Sequence, residues 1–129
     1  MSTSQRPAVE GCRPEEATPV RLEAEALHST APDYLRELKE ELTDERLVPA
    51  RLVVEVCFDE DCSLSTQEEA QRVRDHIRAA AFLGAGTLTV SLDDVANEHK
   101  VRPALAACAE RARRDGVVLE VDGPLSIEP

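Results

Sequence analysis

The chain has 129 residues with Tyr34, Phe58 and Phe82 as its only aromatics, so it is sized for one domain with a core built mainly of Ala, Val and Leu. Acidic residues outnumber basic ones 26 to 15, a formal net charge of -11; this argues against non-specific nucleic-acid binding and against anionic membranes, which both need an excess of Lys and Arg. The longest small-apolar run, Ala79 to Gly86, is too short to span a bilayer, and Met1 to Pro7 is polar with no apolar stretch behind it, unlike a secretory leader.

Residues 1–19 hold Pro7, Pro14 and Pro19 and show no period of 2 or 3.6, which predicts a disordered or loosely attached tail. A single domain is expected over 20–124, with a second short tail at 125–129. Val20, Leu22, Ala24 and Ala26 recur at every second position, so Val20–Leu27 reads as a strand. Ser29-Thr30-Ala31-Pro32 then supplies a cap and an early proline. The helix behind it carries Leu35, Leu38 and Leu42 on one face. Arg51–Asp59 is the strongest strand, with Leu52, Val54, Val56 and Phe58 alternating. Ser65–Leu83 is the strongest helix: Ser65 with Glu68, or Thr66 with Glu69, fits a capping box. Its stripe is Ala70, Val73, Ile77 and Ala80, and Gly84 is a natural C-cap. Thr87–Asp93 is the third strand. A helix with Pro103 early and Val101, Leu105, Cys108 and Ala112 on one face follows, ending at Gly116. Val117–Asp122 is the last strand, giving the order βαβαβαβ.

Each strand has one apolar face, while the other collects Arg21, Glu23, Glu25, Val53, Glu55, Cys57, Thr87, Thr89, Ser91, Val118 and Glu120. A parallel sheet covered on both sides would read as continuous apolar runs. The expected architecture is therefore a two-layer α/β sandwich, with about four mostly parallel strands and all helices on one face. The open face is either solvated or paired with a second copy or another protein.

Three groups of residues bear on chemistry. If the strands are parallel, their carboxyl ends share one edge, where open α/β sheets bind ligands. That edge would gather Asp59, Asp61, Asp93, Asp94 and Asp122, a set suited to Mg²⁺ or Mn²⁺ and to metal-assisted phosphoryl transfer or hydrolysis. Against this, a chain with 26 acids places several in every loop, and Asp is favoured at strand ends anyway. Cys57 and Cys62 form a C-x4-C pair without the second close pair of a zinc site. Cys62, next to a helix N-terminus, is the expected reactive thiol, with Cys57 as its partner; Cys108 sits on an apolar stripe and reads as core. His28, His76 and His99 stand alone. Gly84-Ala85-Gly86 follows a helix and precedes a strand, the reverse of a phosphate-binding loop.

The composition resembles that of proteins from salt-in halophiles: an acid excess, abundant Ala, and only Lys39 and Lys100 as lysines. At molar salt the Debye length is about 3 Å, so a dense carboxylate surface stays hydrated without repelling itself. The expected location is the cytoplasm. The expected role is a non-catalytic interaction or regulatory module acting through the open sheet face. A divalent-metal enzyme or metal-regulated domain using the acidic edge is the alternative.

Overall fold

Residues 17–123 are described by a computed structural model. Four strands, β1 (Thr18–Glu23), β2 (Leu47–Phe58), β3 (Thr87–Val95) and β4 (Val118–Asp122), alternate with helices α1 (Pro32–Asp44), α2 (Ser63–Leu83) and α3 (Glu98–Arg114). The strands form one sheet in the order β1-β2-β3-β4, and every pair is parallel. Successive crossovers that all step the same way lay their helices on the same face. The result is the two-layer α/β arrangement, with the other face left bare by the described residues. Residues 1–16 of the expected N-terminal tail, with Cys12, and the expected tail 125–129 lie outside the described residues, whereas Thr18 and Pro19, expected in the tail, begin β1 by pairing with Leu47 and Val48.

The core fills the space between helices and sheet. Leu52, Val54, Val56 and Phe58 of β2 and Leu88, Val90 and Leu92 of β3 are buried. They cluster with Leu35 of α1, Val73, Ile77 and Leu83 of α2, and Leu105 and Cys108 of α3. Burial of such side chains contributes about 1.5–3 kcal/mol each. α2 is the middle helix and packs on α1, α3 and the two central strands.

Several boundaries differ from the sequence expectations, among them the run of β3 to Val95 rather than Asp93. The first strand stops at Glu23, and Ala24–Ala26 forms a 3-10 turn closed by the Leu27 amide donating to the Ala24 carbonyl at 2.9 Å. Ala and Glu are weak strand formers, and β1 has no register partner on β2 beyond Val53. β2 begins at Leu47 rather than Arg51 and takes in Pro49. Pro49 pairs with Val20 and Arg51 with Arg21, so Ala50 is an extra residue at a bulge, where a proline lacking its N–H is tolerated.

α1 starts after Ala31, which makes no side-chain cap; the Ser29 hydroxyl instead accepts from the Ala31 amide at 2.9 Å. α2 starts at Ser63, so Cys62 is its N-cap and the expected capping box is not formed. Ser65 Oγ donates to the Glu60 carboxylate at 2.7 Å, and the buried Thr66 Oγ1 donates to the Cys62 carbonyl at 3.0 Å. Gly84 does end α2, in the left-handed region at φ 83°. α3 is capped by Asn97, whose side chain accepts from the His99 amide at 2.9 Å.

Candidate functional site

The bare face is an ordered grid. Strand register aligns Arg21, Arg51, Thr87 and Val118 in a first rank near the amino ends of the strands. Glu23, Val53, Thr89 and Glu120 form a second rank. Glu55, Ser91 and Asp122 form a third, nearer the carboxyl ends. Two polar links stiffen the grid. Arg51 Nη1 donates to Thr89 Oγ1 and to Glu120 Oε1, each at 2.6 Å, tying β2 to β3 and β4. Arg21 Nε donates to Glu23 Oε2 at 2.9 Å. Val53 is only 5% exposed among these neighbours, whereas Val118 on edge strand β4 is 61% exposed.

A groove of about 950 Å³ follows this face and turns around the β4 edge to reach Ala106 and Ala109 of α3. Its lining mixes cations and carboxylates, Arg21 and Arg51 against Glu55, Glu120 and Asp122.

Of the five candidate metal ligands, Asp59 and Asp61 follow β2, Asp93 and Asp94 lie in β3, and Asp122 ends β4. Asp61 is engaged by Lys100 Nζ at 2.9 Å and by Asn97 Nδ2 at 3.0 Å. Those two bonds, with the nearby ammonium charge, hold its carboxyl below the usual range. Asp93 and Asp94 lie inside β3, not beyond it, and both are exposed, as are Asp59 and Asp122. Among the described residues no group of three or more His, Cys, Asp or Glu side chains is gathered closely enough to hold a metal ion. The pairing of Asp61 with α3 carried no signal in the sequence, because Asn97 and Lys100 lie 36 and 39 positions away.

The thiols separate by environment. Cys62 is exposed at the α2 N-cap. As a neutral thiol it makes no capping hydrogen bond, but the backbone amides of Ser65 and Leu64 stabilise its thiolate and pull its pKa down. Cys57 is half-buried near the end of β2, where desolvation and the Asp59 carboxylate push its pKa up. Cys108 is buried, its Sγ 3.7 Å from the Ala70 carbonyl, and burial raises its pKa.

His76 Nδ1 lies 2.7 Å from the Arg72 carbonyl on the half-exposed side of α2. The imidazole of His28 meets Tyr34 edge-on, with centroids 5.9 Å apart. Among the described residues no helix is long and apolar enough to cross a membrane.

Fold and surface together define a small two-layer α/β domain with an all-parallel sheet and one polar, cross-linked face that no described element covers. The chain belongs to the family described as Domain of unknown function (DUF8564), whose model matches residues 16–121. No curated protein and no solved structure matches it.

Proposed function

We propose that this domain is a non-catalytic interaction or regulatory module of a salt-rich cytoplasm, and that it docks a protein through the bare face of its sheet. One observation carries the reading: the sheet is wholly parallel and yet, among the described residues, has helices on one side only. Parallel sheets are ordinarily covered on both faces, so a second layer supplied by a partner completes the usual arrangement. The face carries exposed apolar surface at Val118 among polar and charged positions, a mixture found in transient interfaces.

The acid excess suits this setting, because molar salt screens the repulsion of a -11 chain. Thermal stability should therefore rise as KCl goes from millimolar to molar.

The docking claim is tested by placing a photo-crosslinking residue at Ser91, at the centre of the third rank, and at Glu68 on the exposed side of α2, in the cells that make the protein. Adducts specific to position 91 support the reading. Equal adducts at both positions, or adducts at 68 alone, contradict it.

A further inference from the structure

We infer that the partner of the bare face is a second copy of this chain, packed face to face about a two-fold axis that runs across the strands, so that the two sheets lie antiparallel. This inference rests on the open-face reading above. It deepens that reading by naming the partner and the register.

The charge grid carries the argument. The first rank is basic, through Arg21 and Arg51, and the third is acidic, through Glu55 and Asp122. A two-fold interface must be complementary to itself. Rotation about an axis across the strands sets the first rank of one copy over the third rank of the other. Arg51 then meets the partner's Glu55, and the partner's Arg51 meets Glu55, with both pairs made by one operation, while Arg21 lies over the end of the partner's β1 and Asp122 over the partner's Val118. Val53, only 5% exposed, falls near the axis beneath its polar neighbours.

Glu23 and Glu120 also meet their counterparts. Each is already bound to an arginine of its own copy, Glu23 to Arg21 and Glu120 to Arg51. The other two-fold, along the strands, keeps the ranks level. It sets Glu23 over the partner's Glu120 and Arg51 over the partner's Thr87, and joins no opposite charges. Charge complementarity of this kind selects orientation and excludes the wrong one.

Both carboxylates of the acidic rank are exposed, and their side chains are bonded to nothing within the described copy. Four strands about 4.8 Å apart and five residues of about 3.3 Å each make a face of about 19 by 16 Å. A face of that size holds a pair weakly, and copies exchange with the monomer.

The test is sedimentation of the full chain in molar KCl, from micromolar to millimolar concentration, on the wild type, Arg51→Glu, Glu55→Arg and an equal mixture of the two variants. The wild type is expected to self-associate as concentration rises, and each variant alone to associate at least tenfold more weakly. In the mixture, each reversed position meets the reversed position of the other variant with opposite sign, so association returns close to the wild-type strength.

Glu55→Arg removes no bond of the fold, and its circular dichroism should match the wild type; it therefore keeps the test valid if Arg51→Glu unfolds. A wild type that stays monomeric at millimolar concentration overturns the second-copy inference and leaves the open-face reading to its own crosslinking test. Association that survives undiminished in both variants alone places the contact elsewhere and overturns the second-copy inference, the open-face reading again resting on its crosslinking test. Variants that weaken alone and are not restored by mixing overturn the antiparallel register.

Discussion

The two faces of the sheet use the same four strands in opposite ways. On the helix side, Leu52, Val54, Leu88 and Val90 are wholly buried and interlock with three helices. On the bare side, residues one position along carry Arg51, Glu55, Thr89 and Ser91, held by a few polar bonds and open to water. Stability is therefore concentrated on one face, and the other is free to vary its chemistry. A strand in this protein is half structural element and half surface, with the division repeating every second residue.

The largest expected effects come from the covered face. Leu52→Ala or Leu88→Ala should cost about 3–5 kcal/mol, seen in urea unfolding; a cost below about 1 kcal/mol would mean that the helix layer is not the core. Next is Gly123, at the carboxyl edge where both faces end. Its φ is 145°, and a Cβ there would lie 2.7 Å from the Leu92 carbonyl oxygen. Gly123→Ala should cost about 1–3 kcal/mol, checked by the same method.

On the bare face, Arg51→Ala removes the links to Thr89 and Glu120. Both ends of the salt bridge are substantially exposed, at 39% and 51%, so the cost should stay under about 1 kcal/mol. A large loss there would erase the contrast between the faces.

The smallest effects concern the carboxyl edge and are read against pH. Cys62, with its pKa lowered by the Ser65 and Leu64 amides, should be alkylated by iodoacetamide at lower pH than Cys57, whose pKa is raised by desolvation and Asp59. Cys108 should react only on unfolding. Mass spectrometry of the labelled peptides checks the order, and simultaneous labelling of Cys57 and Cys62 would refute it.

Asp61 has a folded pKa below the usual 3.8, so its charged form is favoured by folding. The stability it adds is present above that usual value and is lost as pH falls through the lower folded one. Asp61→Asn should therefore differ most from the wild type near neutrality and converge with it in strong acid, as followed by thermal melts across that range.

Much of the fold was legible in the residues. The period-2 alternation of Leu52, Val54, Val56 and Phe58 marks both the strand and its buried face, and the polar partners at Arg51, Glu55, Thr89 and Ser91 mark the bare one. From these two observations the single helix layer follows. Gly84 and the Val101, Leu105, Cys108, Ala112 stripe were equally plain.

Helix starts were less so. Serines at 63 and 65 and a threonine at 66 all suit a cap, yet Cys62 holds the position because Ser65 turns to Glu60 and Thr66 to the backbone. The candidate site divides the same way. The open face and the environment of Cys62 could be read from local pattern. The capture of Asp61 by Asn97 and Lys100, and the span of Arg51 across to Glu120, depend on which strand lies beside which, and no local pattern records that.

The most direct test of the division compares two neighbours that point to opposite faces. Leu92 is buried against the helices, and Ser91 faces the groove. Thermal unfolding of Leu92→Ala and Ser91→Trp, in dilute solution and molar KCl, is predicted to separate them sharply. Leu92→Ala should lose about 2 kcal/mol or more, a drop of about 8 °C or more, while Ser91→Trp melts within about 2 °C of the wild type. If Ser91→Trp melts as low as Leu92→Ala, the bare face is part of the protein's own core, and the account of a surface kept free for a partner is wrong.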